Sequence, residues 1–600
     1  MKMLTKKIVD CIYVNKIIEQ DMIAVCEYGV ELVLAGIVNI IVILFVSVLL
    51  HSMLYGIIFL LILISTRAFM GGYHATTHIR CNISMVCIYI ISLLMLNIKY
   101  DGYVMLVHIL TLTGYIVISR YAPLENSNKS LSEQQKKKYN KISQIAYIVL
   151  LVIAMVVNYK DQELSLYINI IMVIVVVLLI IGKEKNIYDE EKGIITNKNN
   201  SFFHITGLRE NYKLNGKEQL IEQPIIIQNE IGYLGIICKE FEGIMYYLMQ
   251  AKIEPGNINK IQISPTIQAT KSNFTQKHGG KCPAYIDYFM NADKYEIIVD
   301  QIQSEQSSRF YKKRNRNIII KIDEEIEVLP SHRWMTMEQI KALMRIDNLV
   351  NMDTRTVLSC IPYYKWNDLK DKEVIEKSFK EKALYKSIIN DDPIDLVSIY
   401  NRINDIKMYS EKTSEFVKLK DLKSWHMQDG EFICKKPYPY KIIFCKIAID
   451  DREVKEWTQP LFEAIGDATF GLLMRDNKKN GKREFLVKIK HELGCFDEVE
   501  LAPTLQIEAV HNEELDNVEK YFLNQVNNKK NIVFDHYLSE EGGRFYHEQN
   551  RNLLVMQEQN FDFELPREYM WLDYKTLNYL VQHNNILNIQ LRNLLSLLEI

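Results

Sequence analysis

Four blocks of sequence recur in the same order behind a separate front end of about 185 residues. QNEIGYLGI at 228–236 faces EAIGDATFGL at 463–472, and QISPTIQ at 262–268 faces ELAPTLQ at 500–506. DQIQSEQSSRFYKKRNRN at 300–317 faces DHYLSEEGGRFYHEQNRN at 535–552, and the long stretch 333–361 faces 570–598. Blocks kept in register at separations of 235 to 238 residues require duplication of a whole folding unit, because a solenoid repeat spans only about 20–50 residues. Each copy carries short apolar runs such as PIIIQNE and GYLGIIC, bounded by turns, and then a segment with helical spacing, MTMEQIKALMRI. That order predicts a mixed α/β (α+β) unit. The expected boundaries are 196–400 and 401–600, with residues 186–195 as a charged linker.

The front end, residues 1–185, is written in a different alphabet. Runs rich in Ile, Leu and Val lie near 27–50, 52–66, 83–98, 103–119, 144–158 and 164–182. A membrane crossing needs about 20 apolar residues, so the reading is an all-α polytopic membrane domain of about six spans. Basic residues set its orientation. Lys2, Lys6, Lys7, Arg67, Arg80, Arg120, Lys129, Lys136, Lys137, Lys138, Lys141, Lys183 and Lys185 fall in alternate gaps. With the N-terminus inside, all of them face the cytoplasm, as the positive-inside rule asks, and the duplicated half follows them there. No cleavable leader is expected, since the first apolar run starts late and no small-residue cleavage site follows it.

Charge and cysteine usage exclude several classes. A net charge of −2 argues against nucleic acid as a partner. The ten cysteines are scattered singly, without CxxC or Cys/His metal spacing, which fits free thiols in a reducing compartment and predicts no metal site. Neither GxGxxG nor a P-loop occurs, so dinucleotide and ATPase sites are unsupported.

Between the second and third apolar runs stands RAFMGGYHATTHIRC, residues 67–81. An imidazole or cationic neighbour lowers a thiol's pKa and makes it nucleophilic. Here His74, His78, Arg67 and Arg80 surround Cys81 in sequence. Positions seven apart on a straight helix lie about 10 Å apart, so contact between His74 and Cys81 needs a bend. A loop with an incidental cysteine fits the same residue types. GGYHA with a Cys seven residues after the His, and RYAPLENSNKS at 120–130, resemble the AgrB family of membrane cysteine endopeptidases. Ser130 replaces the family's usual Pro. The resemblance covers residues 1–185 and implies His74 as base and Cys81 as nucleophile. They would process an AgrD-like quorum-sensing propeptide through an acyl-thioester.

In the duplicated half, polar residues cluster. Arg309, Lys312, Lys313, Arg314 and Arg316 crowd eight positions beside Phe310 and Tyr311, a set suited to a diphosphate and a stacked base; a solvated edge strand is the plain alternative. Gln250, Lys252 and Glu254 alternate in QAKIEPGN, and Gln268, Thr270 and Asn273 follow, so they can line one face of a pleated surface.

GIITNKNNSFFHITGL, QNEIGYLG, QAKIEPGN, QISPTIQATKSNFTQKHGG, SEQSSRF, KRNRN and NLVNMDTRTVLSC resemble the NDP-hexose 2,3-dehydratase family over about 190–600, and REVKEWTQPL fits its second module. The resemblance implies a dimerising tandem of two Nudix-like modules acting without cofactor on an NDP-4-keto-6-deoxyhexose, usually thymidine-linked. A partner ketoreductase is expected to consume the unstable product. Glu254, His278 and Tyr311 are candidate proton carriers, and Lys252 is a candidate for enolate or phosphate stabilisation. Gln250, Gln268, Thr270, Asn273, Arg309, Lys312, Arg314 and Arg316 are candidate substrate contacts. The working pocket is expected in the first copy. The persistence of Lys490, Glu492, Gln506, Arg544 and Arg551 in the second keeps the opposite assignment open. Alternatives are a dehydratase tethered by an inactive membrane part, a non-enzymatic nucleotide-sugar sensor, and an artefactual joining of two neighbouring genes.

Overall fold

The computed structural model describes residues 36, 38–70, 78–98, 100–123, 133–182, 186–189, 193–197, 202–214, 217–275, 282–369, 372–449, 456–511 and 514–600. It divides into two compact units, Met1–Glu184 and Lys185–Ile600.

The first unit is helical. Its described helices are α1 (Val38–Leu49), α2 (Met53–Met70), α3 (His78–Leu96), α4 (Asp101–Tyr121), α5 (Glu133–Asn158) and α6 (Gln162–Gly182). Among the described residues three helices are long and apolar enough to cross a membrane, over Gly102–Tyr121, Lys137–Asn158 and Gln162–Ile180. The apolar stretches of the others, Val38–Leu49, Met53–Arg67 and Ile83–Leu96, are shorter. α6 is the central helix, packed against α2, α3, α4 and α5. Its Ile170, Ile171 and Met172 are buried, while Phe45, Leu61, Leu94, Ile116 and Val156 project outward. Polar groups inside are tied to one another: Ser92 to Tyr167 at 3.1 Å, and the Tyr147 hydroxyl to the Thr111 carbonyl at 2.8 Å. Such pairing is what a low-dielectric surrounding demands.

The second unit is the duplication made visible. Its first seven-stranded sheet contains β1 (Gly232–Phe241), β2 (Ile244–Ile253), β3 (Ile261–Ser264), β4 (Ile267–Ala269), β5 (Glu296–Ser304), β6 (Arg314–Lys321) and β7 (His332–Thr336), in the order β7-β2-β1-β6-β5. β3 adds to β2, and β4 to β1. The second sheet contains β8 (Ala468–Asp476), β9 (Arg483–His491), β10 (Val499–Ala502), β11 (Leu505–Ile507), β12 (Ile532–Ser539), β13 (Gln549–Met556) and β14 (Tyr569–Asp573). It repeats the pairings strand for strand, including the one parallel contact, β6 on β1 and β13 on β8.

GYLGIIC reads as a continuous apolar run because its sheet is covered on both faces. Ile237, Ile318 and Ile320 pack within the first copy, and Leu473, Leu553 and Val555 within the second. The opposite faces, Ile236 and Ile319 with Leu472 and Leu554, meet in one core shared by both copies. A five-stranded sheet completes each copy, and a second mixed core joins Ile205 and Phe310 to Tyr440, Phe462 and Phe545.

Two strands lie at the expected boundaries. The segment expected as a linker carries the strand Asn186–Asp189, paired antiparallel with Ile194–Asn197. The strand Glu411–Val417, assigned to the second copy, pairs with His204–Leu214 of the first. Charged residues there satisfy a sheet edge: Arg209 reaches Glu415 at 2.7 Å.

The copies are locked by reciprocal contacts. Arg355 donates to the Ser539 carbonyl at 2.8 Å, and its counterpart Arg592 donates to the Ser304 carbonyl. The Gly256 N–H donates to the Gly542 carbonyl at 2.7 Å, and the Gly494 N–H to the Ser307 carbonyl at 2.8 Å. A Cβ on Gly256 would stand 1.7 Å from the Phe545 carbonyl oxygen, and one on Gly494 1.8 Å from that of Phe310. The Pro-Gly-Asn and Leu-Gly-Cys turns therefore keep the one residue that lets backbones touch.

Candidate active site

β2 delivers the first polar cluster. Alternation along the strand places Gln250 and Lys252 on one side, and the chain leaves the sheet at Glu254. Lys252 Nζ lies 3.3 Å from Glu254 Oε1 and donates to the Gln268 carbonyl at 3.4 Å. The Gln268 amide donates to Glu254 Oε1 at 3.2 Å, and Asn351 donates to Gln268 Oε1 at 3.3 Å. Asn351 also caps the helix Met352–Ser359, so the cap and the strand end are one assembly.

Asp353, in the first turn of that helix, is 2% exposed, and its Oδ2 has no hydrogen-bond partner among the described residues. Burial pushes its carboxyl well above the usual range, reinforced by Glu541, Glu305 and Glu254. Glu305 is raised by burial and Glu541, and Lys313 is lowered by burial against the pull of Glu305. Lys313 Nζ donates to the Glu230 carbonyl at 2.5 Å and to Asn315 Oδ1 at 2.7 Å, and Asn315 donates to Glu305 at 2.6 Å.

The second copy closes this cluster. Glu541 and Arg544 lie on the loop whose Gly542 carbonyl holds the Gly256 turn. Burial raises the Glu541 carboxyl, with Arg544 opposing and Glu254 reinforcing. Arg544 donates to Gln228 at 3.3 Å and lies 4.3 Å over the Phe203 ring.

The geometry separates residues that sequence placed together. Arg309 crosses to the other copy, pairing with Glu508 at 3.0 Å and stacking 4.3 Å over Tyr440. Arg316 is forked onto Asp300 at 2.7 and 2.6 Å, and Arg314 lies 4.1 Å over Phe496. Lys312 is exposed, its N–H donating to the Gly494 carbonyl. Tyr311 packs edge-on against Phe416, and Phe310 is core. Gln250 accepts from Ser264. Thr270 bonds Asn273 at 3.0 Å and Ser272 at 3.1 Å, and Ser272 donates to Glu230. His74 and His278 lie outside the described residues. Cys81 falls in the first turn of α3, and its side chain lies outside them too.

Asp353, Glu305, Asn351 and Glu541 went unselected in the sequence. The available signal was NMD opening a helix and SEEGGR in the second copy, both inside repeat blocks.

The second copy builds a matching cluster. Lys490 donates to the Gln506 carbonyl at 3.4 Å, Gln506 to Glu492 at 2.6 Å, and Asn588 to Gln506 at 2.9 Å. The quartet Lys-Glu-Gln-Asn is thus present twice. Asp353 corresponds to Gln590 and Glu541 to Gln306, while Thr270 corresponds to Glu508, which pairs Arg309.

Fold and site define a duplicated α/β protein with two buried polar clusters, each closed by the opposite copy. The profile of the NDP-hexose 2,3-dehydratase family matches residues 184–361 and 397–598, and the chain belongs to that family; the profile of AgrB, accessory gene regulator B, matches residues 5–182, so both domains occur in one chain. Three relatives, each named dTDP-4-dehydro-6-deoxy-alpha-D-glucopyranose 2,3-dehydratase, are similar to it. The protein of Saccharopolyspora spinosa is 36% identical over 69% of this chain and 85% of its own length. That of Streptomyces violaceoruber is 33% identical over 68% and 89%, and that of Amycolatopsis orientalis 33% over 67% and 82%.

Proposed function

We propose that residues 185–600, a tandem of two Nudix-like modules, remove water across C2 and C3 of a nucleoside-diphosphate 4-keto-6-deoxyhexose, with thymidine as the nucleoside. The observation that carries this reading is the Lys252–Glu254 pair in the field of buried Asp353: a cation, a hydrogen-bonded carboxylate and a carboxyl whose Oδ2 has no partner among the described residues. The C4 ketone acidifies the C3 hydrogen. A base removes that proton, Lys252 stabilises the enolate, and the C2 hydroxyl, β to the ketone, leaves as water. General acid–base steps contribute about 10²–10⁴-fold, and a fixed donor at the enolate oxygen about 10²–10³-fold. Arg544, the counterpart of Arg309, has no carboxylate matching Glu508 because Thr270 stands at that position, and it is suited to the diphosphate. The product enol becomes a 3,4-diketo-2,6-dideoxy sugar, which a ketoreductase consumes.

The helical unit is read as a six-span, multi-pass AgrB-like cysteine endopeptidase. His74 activates Cys81 against an AgrD-like propeptide, and residues 185–600 lie in the cytoplasm.

The test incubates membranes carrying the full chain with thymidine-linked 4-keto-6-deoxyglucose and a ketoreductase trap. A 2-deoxy sugar is expected; its absence rejects the dehydratase reading. In the same membranes Cys81→Ala is expected to abolish a propeptide thioester and leave sugar turnover unchanged.

A further inference from the structure

The two clusters share a scaffold and differ in their proton carriers. Both have the Lys-Glu-Gln-Asn quartet and an arginine from the opposite copy. At the two positions where the first presents Asp353 and Glu541, the second presents the amides Gln590 and Gln306. A structural role in holding the turn or the helix cap is served equally by an amide. A carboxyl that can lose a proton is not.

The backbone fixes Glu541 in place. Its loop is held by the Gly256 N–H on the Gly542 carbonyl at 2.7 Å and by the His547 N–H on the Gly256 carbonyl at 2.9 Å. A point one bond out from Gly543 lies 2.9 Å from Glu541 Oε1 and 3.6 Å from Glu254 Oε1. The two carboxyls therefore flank one small space. Asp353, with its unpartnered Oδ2, is electrostatically coupled to both. Glu541 is half-buried where Asp353 is fully buried, so Glu541 is the one of the pair within reach of a ligand.

We propose that Glu541, supplied by the second copy, is the catalytic acid of the first copy's site. The assignment rests on the dehydratase reading above. Glu254 takes the C3 proton. The C3–H electron pair becomes the C3–C4 π bond, and charge passes to the C4 oxygen beside Lys252. When the C4 carbonyl reforms, that pair moves to C2–C3 and the C2–O bond breaks. The departing oxygen takes the Glu541 proton and leaves as water. Glu254 then passes its proton to Glu541, restoring both groups. The raised carboxyl of Glu541 keeps that proton available.

The experiment uses the full chain in membranes, with wild type, Glu541→Gln and Glu541→Asp. Glu541→Gln is expected to lower kcat at least about 100-fold with KM within about threefold. In D2O it is expected still to wash deuterium into C3 of recovered substrate, since the base is intact. Glu541→Asp, the smaller change, is expected to regain part of the elimination rate. Two results overturn the assignment: Glu541→Gln turning over within about threefold of wild type, or either variant losing C3 exchange and elimination together while the sugar nucleotide still raises its melting temperature. A wild type that yields no 2-deoxy sugar instead removes the dehydratase reading itself.

Discussion

At the scale of single residues, the copies act as controls for one another. Gln262 sits in the first copy where Glu500 sits in the second, and the amide donates to Ser539 Oγ at 2.7 Å. Burial raises the Glu500 carboxyl from the ordinary 4.5 to about 7, with Ser304 and Arg592 opposing and Glu492 reinforcing. Below pH 4.5 the group is protonated whether the chain is folded or not. As pH rises toward 7 the unfolded chain ionises first, so folding loses stability on the order of 3 kcal/mol, a loss that persists above pH 7. Glu500→Gln is therefore expected to melt higher than wild type at pH 8 and nearly with it at pH 4.5. Lys252 and Lys490 form a second matched pair. Lys252→Met is expected to lower kcat by about 10²-fold, and Lys490→Met to leave it within about threefold. The reverse result moves the working pocket to the second copy.

Among elements, the turn after β2 and its counterpart after β9 carry the tie between copies. Gly256→Ala and Gly494→Ala each drive a methyl into a carbonyl oxygen, and overpacking of this kind costs about 1–3 kcal/mol. Denaturant unfolding should give similar losses for both; a loss confined to one variant contradicts the reciprocity. The sheets themselves were legible beforehand. A turn-bounded apolar run located β1, the repeat located β8, and Gln250 and Lys252 follow the alternation that their spacing implied, the strand ending just before Glu254. What sequence did not convey was direction across the pseudo-symmetric contact. RFYKKRNRN reads as one basic strip, yet Arg309 leaves for Glu508, Arg316 folds back on Asp300, and Lys313 is buried on Glu230. Strand spacing fixes which face a residue takes and says nothing of which copy supplies the opposite wall. Asp353 and Glu541 were overlooked for that reason, since their significance appears only where residues from distant blocks converge.

For the whole molecule, the division at Glu184 separates the helical unit from the duplicated one, whereas no such division separates the copies. Leu234, Ile236 and Val357 share one core with Leu472, Phe485 and Leu594. A chain ended at residue 400 leaves that core half-built and is expected to lose cooperative unfolding, read by thermal denaturation and by proteolysis of the 185–400 segment. The exchange of loops between the copies also bears on their history. Once the loop bearing Gly542 and Arg544 serves a neighbour's site, selection on the first pocket protects the second copy as well. Such a partner can forget its own trade and still not be dismissed, because a lineage that discards it loses a wall of the room where the work is done.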